Sequence, residues 1–393
     1  MTRCARCLYD TSIPGITFDA AGVCNYCHIH DEMVREYPTG EEGQRRLAAI
    51  VDRIKAEGRS KKYDVVVGVS GGCDSTYMLR LAKEMGLRPL AVHFDNTWDS
   101  SIAVENIHDA LSKLDVELST YVIDHKEQDD IFRSFIKSGT PDIDVATDIA
   151  LAVTLNMACE EHGIRYMFEG HSFRTEGLSP LGWIYMDGRY IAAVHKQLGT
   201  LPMKTFPNMP LSRFLHWTTR AGIRKIRPLY YVDYVKKDAM ATLTRELGWK
   251  WYGGHHLENR YTAFVHQYFF PRRYGVDSRL LGYAAMVRSG QMTRADAITL
   301  TQEPIVCDQE VIDLVKKRLG FSDDEFEALM TAPKKTYRDY PNYKRIFELM
   351  KPYWWLMYKL ERVPKSFYLK WTRPDPVPFY GTERTNLVKV VGS

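Results

Sequence analysis

Several features that would identify a class of protein are missing from this 393-residue chain. No stretch approaches the roughly 20 consecutive apolar residues that a membrane-spanning helix needs. The start, MTRCARCLYD, has no apolar core of the kind that a targeting signal requires. We therefore expect a cytoplasmic protein without a transmembrane segment.

The chain also lacks a strong excess of charge of either sign. It has 53 lysine and arginine residues against 49 aspartate and glutamate residues, which gives a formal net charge of +4. A protein that binds nucleic acid usually carries a clear basic excess. We therefore expect no nucleic-acid partner. A small anionic substrate needs only a local basic pocket, so the balanced net charge does not exclude one.

Hydrophobic patterning divides the chain into a regular and an irregular part. Over residues 63–200, the apolar runs YDVVVGV, LRPLAVHFD, LSTYVID and IRYMFEG alternate with helical periods. This alternation predicts an α/β fold with a doubly wound parallel sheet. Residues 201–393 are predicted to be mostly helical, with an irregular tail from about Arg373. Ser322 and Glu325 have the spacing of a helix capping box.

Four of the seven cysteines form two CxxC pairs close to the start of the chain. They are Cys4, Cys7, Cys24 and Cys27. Two such turns aim four thiolates at one point, which is the arrangement of a structural zinc site. We predict a zinc-binding knuckle over residues 1–36 and a connecting helix over 37–62. The alternatives are two disulfides or reduced thiols without metal, and His28 or His30 could replace a ligand.

A glycine turn, SGGCDS, joins the first predicted strand to a helix. Its candidate nucleotide-binding residues are Ser70, Gly71, Gly72, Asp74 and Ser75. Backbone N–H groups at such a turn, with the helix N-terminus, bind phosphate. The turn has neither the lysine of the GxxxxGK[ST] loop nor the GxGxxG pattern. A plain strand-to-helix turn, with glycine for close packing, is the alternative.

The pattern SGGxDS resembles the PP-loop of the ATP pyrophosphatases, a HUP-type fold. The resemblance implies an ATP site that releases pyrophosphate intact and transfers AMP to an oxygen of the substrate. It implies that Asp74 helps to hold Mg²⁺. Asp95, Gly170 and His171 end two further strands at the same sheet edge, and they are predicted to contact the nucleotide. A solvated turn aspartate and a structural histidine are the alternatives for Asp95 and His171.

Longer stretches narrow the resemblance within this superfamily. CARC…CNYCHIHDEM, FEGHSFRTEG, WYGGHHLENRYTAF and FFPRRYGVDSRLLGYAAM resemble the N-acetyl sugar amidotransferases of surface-polysaccharide and pseudaminic acid pathways. The likeness runs from about Cys4 to about Tyr343, with a departure at DSRLLGYAAM. Some tRNA-thiolating PP-loop enzymes also begin with a zinc knuckle, so they remain an alternative. A degenerate PP-loop scaffold without activity is a third.

The amidotransferase resemblance implies a specific reaction. ATP adenylates the oxygen of a sugar N-acetyl group, ammonia attacks, and an acetamidino group remains, in lipopolysaccharide O-antigen or nonulosonic acid biosynthesis. The substrate would be a nucleotide-linked N-acetyl sugar. Asp148 and Glu176 join Asp74 as candidate catalytic residues, with a helix N-cap and a solvated loop as their alternatives. The candidate substrate-binding residues are His255, His256, Glu258 and Arg260.

The chain contains no recognisable glutaminase of its own. One glutaminase class uses a cysteine directly after Met1, where this chain has Thr2, and the other uses a GxCxG-type elbow, which is absent. We therefore expect ammonia to come from a separate glutaminase that resembles the subunits of imidazole glycerol phosphate synthase.

Overall fold

A five-stranded parallel sheet organises the protein. The computed structural model describes residues 2–254, 257–375 and 387–392. The strands of the sheet are β1 (Val65–Gly68), β2 (Pro89–Asp95), β3 (Leu118–Val122), β4 (Tyr166–Phe168) and β5 (Arg224–Ile226). Their order is β3-β2-β1-β4-β5, and every pairing is parallel. The predicted parallel α/β fold is confirmed.

Helices cover both faces of this sheet and build most of the rest of the chain. In chain order they are α1 (Asn25–Glu36), α2 (Gly40–Gly58), α3 (Cys73–Glu84), α4 (Ser101–Leu114), α5 (His125–Ser138), α6 (Val145–Glu161), α7 (Gly188–Leu198), α8 (Leu211–Thr218), α9 (Lys236–Leu247), α10 (Arg260–Phe264), α11 (Arg279–Arg288), α12 (Arg294–Gln302), α13 (Gln309–Leu319), α14 (Asp323–Thr331), α15 (Lys344–Leu349), α16 (Lys351–Lys359) and α17 (Lys365–Trp371). A π-helical segment, Val265–Tyr274, follows α10.

The central strand, β1, is almost continuously apolar because both of its faces are buried. Successive side chains of a strand point to opposite faces of the sheet. Val65 and Val67 belong to the core under α2, α3, α4 and α9, whereas Val66 belongs to the core under α5, α6 and α7. Because both faces are covered, every position of β1 apart from Gly68 is buried.

The strand order places a topological switch point beside β1. Strands β2 and β3 are added in succession on one side of β1. The chain then crosses to the other side of β1 and forms β4 there. The loops that leave the carboxyl ends of β1 and β4 therefore diverge and open a crevice, which is where such sheets bind ligands. The SGGCDS turn follows β1 and Gly170 follows β4, so both lie at this crevice.

Three local features go beyond the sequence analysis or differ from it. Helix α5 is an additional element, capped by the Asp124 carboxylate, which accepts from the backbone N–H groups of two following residues. The tail is not wholly irregular, because strand β7 (Val388–Val391) pairs in parallel with β6 (Ile305–Asp308). Helix α6 has Asp144 at its N-cap position, so Asp148 lies within the first turn and is not the cap.

The cysteine-rich segment packs against α11 and α12. Its buried side chains share one core with Ala284 and Ala297 of those helices. The N-terminal knuckle is thus held by residues that follow Cys27, its last cysteine, by more than 250 positions. Among the described residues, no helix combines the length and the apolar content that crossing a bilayer requires.

Candidate active site and metal centre

The glycine turn after β1 is fixed in position by its neighbours. Gly71 has a φ of +75°, and a Cβ atom there would lie 2.3 Å from the carbonyl oxygen of Ala103. Only glycine therefore fits this position. The carbonyl oxygen of Gly71 accepts hydrogen bonds from Asn106 Nδ2 at 3.2 Å and from Trp249 Nε1 at 2.9 Å. The turn is held in shape before any ligand binds.

Polar groups of the turn converge at the start of α3. Ser70 Oγ lies 3.3 Å from Ser75 Oγ and donates to Glu258 Oε1 at 3.4 Å. A Cβ atom on Gly72 would lie 3.1 Å from the same Glu258 oxygen. The structure thus brings predicted nucleotide-binding residues together with Glu258, which the sequence suggested for substrate binding.

Asp74 is the most strongly engaged side chain of the turn. Lys236 Nζ donates to its carboxylate at 2.8 Å, and the hydroxyl of Tyr234 donates to its other oxygen. Burial favours the neutral acid, but the charge of Lys236 and these hydrogen bonds outweigh burial, so the pKa of Asp74 lies below its usual value. Asp74 is therefore ionised at neutral pH.

Lys236 and Tyr234 are functional candidates that sequence reasoning missed. Lys236 is the first residue of α9 and Tyr234 lies two residues before it, about 160 residues after the turn, and no motif links them to it. The stretch YVDYVKK looks like the polar beginning of an ordinary helix. The structure nevertheless places an ammonium group beside a glycine turn whose own sequence contains no lysine.

Gly170 and Glu176 line the opposite wall of the crevice. A Cβ atom on Gly170 would lie 3.3 Å from the backbone oxygen of Asp74, so the chain passes the start of α3 closely. Glu176 forms a side-chain hydrogen bond with Asp74, which contributes to lowering the pKa of Asp74. Two carboxyl groups this close need a proton or a cation between them. This pair fits the Mg²⁺ that a PP-loop site implies.

His171 uses both of its ring nitrogens within the protein. Nε2 lies 2.9 Å from the Gly177 carbonyl oxygen, and Nδ1 lies 2.9 Å from the Tyr230 hydroxyl. A carbonyl only accepts, so Nε2 carries the hydrogen and Nδ1 accepts from Tyr230. Burial, together with the charge of Arg227, lowers the pKa of His171 to about 3. The ring is neutral at pH 7 and positions the loop after β4.

The remaining predicted residues lie at the ends of other elements or outside the described residues. Asp95 ends β2, and its Oδ1 accepts from the backbone N–H of Thr97 at 2.7 Å. Arg260 is exposed at the start of α10, and Asp148 is exposed in the first turn of α6. The charge of Asp148 acts on Lys370. His255 and His256 lie outside the described residues.

The four cysteines of the knuckle form one buried cluster. The Sγ–Sγ distances are 3.8 Å for Cys4 and Cys27, 3.7 Å for Cys7 and Cys24, and 3.6 Å for Cys24 and Cys27. A tetrahedral zinc ion with Zn–S bonds of about 2.3 Å requires sulfur atoms about 3.8 Å apart. Bonded sulfurs would be about 2.05 Å apart, so this geometry fits zinc and not disulfides.

The neighbouring histidines do not join this cluster. His28 Nε2 lies 2.8 Å from Asp19 Oδ2 on the surface, and His30 packs edge-on against Phe173. The backbone N–H groups of Arg6 and Cys24 instead donate to Cys4 Sγ, at 3.4 and 3.2 Å. Such N–H···S bonds favour the thiolate form, which is the form that binds a metal.

An arginine of α11 donates hydrogen bonds to two of the four sulfur atoms. Arg288 donates from Nη2 to Cys7 Sγ at 3.2 Å and from Nε to Cys27 Sγ at 3.4 Å. Its guanidinium also lies over the Tyr9 ring, 4.4 Å from the centroid. Four thiolates with Zn²⁺ carry a net charge of −2, which a buried arginine offsets. Arg294 donates to the backbone oxygens of Cys4 and Cys7, at 3.1 and 3.2 Å.

The same region of the chain connects the cysteine cluster to the glycine turn. Gln291, three residues after Arg288, donates from Nε2 to the backbone oxygen of Tyr234 at 2.9 Å. Tyr234 in turn hydrogen-bonds to Asp74. One short segment therefore contacts the thiolates at one end and orients the partners of Asp74 at the other.

Comparison with known proteins adds to this geometry. Residues 258–355 match a family described as the LPS biosynthesis protein WbpG-like, C-terminal domain. Over these residues the chain is similar to the C-terminal domain of the WbpG-like proteins. The matched region includes Glu258, which contacts Ser70 of the glycine turn, and Arg288, which contacts the cysteine cluster, and it also includes Arg260.

Two curated relatives match shorter parts of the chain. An uncharacterised protein of Methanocaldococcus jannaschii is 26% identical over 171 residues, which is 43% of this chain and 58% of that protein. The tRNA-specific 2-thiouridylase MnmA of Colwellia psychrerythraea is 32% identical over 126 residues, which is 28% of this chain and 34% of that protein. The chain thus spans less than two thirds of the length of either relative.

Two solved structures share a weak likeness. A predicted subunit of tRNA methyltransferase from M. jannaschii is 13% identical, with 46% of this chain and 75% of that chain covered and a TM-score of 0.28. NMN synthetase from Francisella tularensis is 14% identical, with 73% and 95% covered and a TM-score of 0.29. Likenesses of this size support no conclusion about activity.

Proposed function

We propose that this protein is an ATP-dependent, AMP-forming amidotransferase. It converts the N-acetyl group of a nucleotide-linked sugar into an acetamidino group, in lipopolysaccharide O-antigen or nonulosonic acid biosynthesis. The observation that carries the proposal is the cluster of Lys236, Asp74 and Glu176 at a lysine-free phosphate turn. The match of residues 258–355 to a family of lipopolysaccharide biosynthesis supports the substrate class.

The proposed reaction has two steps. The carbonyl oxygen of the acetamido group attacks the α-phosphorus of ATP, and pyrophosphate leaves. Ammonia then adds to the activated carbon, the C–O bond breaks, and AMP departs with the former amide oxygen. The amide carbon resists ammonia at neutral pH, whereas the O-adenylated carbon carries a good leaving group. The products are an acetamidine, AMP and pyrophosphate.

The residues at the crevice suit the first step. The backbone of Gly71 and Gly72 and the hydroxyls of Ser70 and Ser75 would bind the β,γ-pyrophosphate at the N-terminus of α3. Asp74 and Glu176 would hold Mg²⁺, which offsets the charge of the phosphates when it is bound. Lys236 would offset the charge that develops on pyrophosphate as it leaves.

The second step requires a proton acceptor for the attacking ammonia. Asp148 is exposed in the first turn of α6, and its charge acts on Lys370. Burial lowers the pKa of Lys370 to about 8, which is close to the operating pH of a general base. We assign proton transfer to this pair, and Arg260 to the anionic part of the sugar nucleotide, which guanidinium groups bind in a bidentate manner.

Ammonia would come from a separate glutaminase subunit. Outside the knuckle the chain has Cys73, Cys159 and Cys307, and all three are buried. A glutaminase nucleophile must reach its substrate as a thiolate. The protein alone should therefore use ammonium but not glutamine.

A tRNA-thiolating enzyme is the second candidate. One curated relative, MnmA from C. psychrerythraea, is named as a tRNA-specific 2-thiouridylase. Sulfur transfer usually needs a reactive cysteine, and reactivity requires a thiolate. Burial raises the pKa of Cys73 to about 11 and that of Cys307 to about 12, and it also raises the pKa of Cys159. These thiols are poorly suited to sulfur chemistry, which favours the amidotransferase.

Product analysis with purified protein tests the proposal. ATP labelled at the α-phosphate, ammonium and a panel of UDP-linked N-acetyl sugars are supplied, and the nucleotide products are separated. We expect AMP and pyrophosphate, formed only with an N-acetyl sugar whose mass falls by about 1 Da as oxygen is replaced by NH. ADP and phosphate as the products would exclude the reaction, and a thionucleoside in added tRNA would establish the second candidate.

Matched variants make the assay specific. Asp74→Asn removes a carboxylate of the crevice without changing its size, and it should abolish AMP formation. Asp52→Asn makes the same chemical change on the exposed side of α2 and should leave the rate unchanged. Equal rates in the two variants would show that the AMP arises from a contaminating enzyme.

A further inference from the structure

A second group of potential metal ligands lies at the carboxyl end of β2. His93 and Asp95 belong to this strand, and Asp99 follows it in the next loop. One ligand atom from each of the three lies within 4.8 Å of the others. His93 is buried, and the side chain of Asp99 is only 12% exposed. Asp95 is half-buried, so two of the three side chains are shielded from bulk water.

Each of the three side chains is oriented by a bond on its other polar atom. His93 Nδ1 lies 2.9 Å from the carbonyl oxygen of Val69, so Nδ1 carries a hydrogen and Nε2 faces the group. Asp99 Oδ1 accepts from Asn259 Nδ2 at 3.0 Å, and Asp95 Oδ1 accepts from the backbone after it. Metal-binding histidines and carboxylates are typically held in this way.

The atoms that remain are spaced as ligands of one ion. His93 Nε2 lies 3.1 Å from Asp99 Oδ2. Two ligand atoms at right angles about a metal, with bonds of about 2.1 Å, are about 3.0 Å apart. Because Nδ1 carries a hydrogen, Nε2 of the neutral ring and the buried Asp99 Oδ2 are two acceptors that face each other, so either a proton or a metal cation must lie between them.

We propose that His93, Asp95 and Asp99 form a binding site for one divalent first-row transition-metal ion. A mixed set of one imidazole and two carboxylates suits ions such as Mn²⁺, and it differs from the soft thiolates of the knuckle. The ion braces the turn, because the other nitrogen of His93 holds the Val69 carbonyl directly before Ser70. The site needs neither ATP nor a sugar, so it stands independently of the proposed reaction.

Manganese titration of the full-length protein tests the site. The protein is prepared with zinc in the cysteine cluster, and free Mn²⁺ is measured by electron paramagnetic resonance without any nucleotide. Mn²⁺ does not compete well for thiolates, so it reports the oxygen and nitrogen ligands. We expect one Mn²⁺ per chain to remain bound in Asp74→Asn, which removes the other candidate cation site of the crevice, and we expect quenching of the fluorescence of Trp98, which directly precedes Asp99.

Variants identify the ligands. His93→Gln, Asp95→Asn and Asp99→Asn should each weaken Mn²⁺ binding at least tenfold, whereas His108→Asn, at an exposed histidine of α4, should not change it. Asp99→Asn retains an oxygen that accepts from Asn259, so it is the variant expected to fold like the wild type. Circular dichroism and thermal unfolding identify any variant that misfolds.

A second measurement keeps the test independent of those variants. Mn²⁺ should raise the melting temperature of the wild type in proportion to the logarithm of its concentration, as a ligand of the folded state does. Wild type that binds no Mn²⁺ at millimolar concentration would overturn the proposal. So would a correctly folded ligand variant that binds Mn²⁺ as tightly as the wild type.

Discussion

The ammonium group of Lys236 lies 2.8 Å from the carboxylate of Asp74, although 162 residues separate them in the chain. The turn after β1 contributes no lysine, and α9 supplies one from outside. The positive charge thus stands at the start of α3 beside a carboxylate that can bind a cation. Its position depends on how α9 packs against α3, and not on the turn itself.

Replacing this lysine should impair ATP use. Lys236→Met keeps the aliphatic stem and removes the charge, and we expect AMP formation to fall about 10- to 100-fold, because a charge-assisted hydrogen bond contributes about 1.5–3 kcal/mol. Single-turnover kinetics with ATP measures the change. Lys237→Met, at the exposed neighbouring position, serves as the control. An unchanged rate in Lys236→Met would show that the ion pair is only structural.

Arg288 should control how tightly the cysteine cluster keeps its metal. Arg288→Met removes the two N–H···S bonds and leaves the charge of a zinc tetrathiolate uncompensated. We expect zinc to leave for a chromogenic chelator about tenfold faster, which is the usual effect of losing a group that orients metal ligands. Arg45→Met, at a surface arginine, should release zinc at the wild-type rate. Equal release from both variants would contradict a role for Arg288.

Gln291 should couple the cysteine cluster to the ATP site. Gln291→Leu removes the hydrogen bond to the Tyr234 carbonyl but leaves every contact with the thiolates in place. We expect ATP affinity to fall about 5-fold, the effect of one buried hydrogen bond of about 1 kcal/mol, while zinc content stays at one per chain. Calorimetry and metal analysis provide the two readouts. Gln302→Leu, at an exposed glutamine of α12, should change neither.

His171 should make the protein less stable in weak acid. Its pKa is about 3 in the folded protein and about 6.5 in an unfolded chain, so the unfolded state binds a proton that the folded state does not. Its stabilising contribution is complete above pH 6.5 and is lost as the pH falls towards 3. Gln at this position can form both hydrogen bonds and does not titrate. Between pH 7 and pH 5, the urea midpoint should fall more for the wild type than for His171→Gln. A parallel fall would refute the low pKa.

How much the sequence predicts depends on how local the interactions are. The SGGCDS turn and the two CxxC pairs are recognisable because a few adjacent residues determine their geometry. Lys236 and Arg288 are not recognisable from the sequence, because each contacts a residue that is distant in the chain. Nothing in YVKK or MVRSG distinguishes these positions from an ordinary helix end.

Secondary structure is likewise predictable only where neighbouring residues determine it. The apolar strands β1 and β2 are evident from composition. Strand β5, Arg224–Ile226, has three residues, two of them basic, and only pairing with β4 makes it a strand. Helix α5 begins with the polar run HKEQDD, and its identity depends on the Asp124 cap and on burial of its second half. Tertiary contacts determine both elements.

The contact between the knuckle and α11 also has a consequence during synthesis. Cys7 and Arg288 are 281 residues apart. A ribosome that adds 5–20 residues per second needs roughly 15–55 s to make that much chain. For this interval the thiolates lack their arginine and their covering helices, and oxidation can reach them. Early uptake of a metal ion would keep the four sulfurs reduced and correctly grouped until the rest of their binding surface has been made.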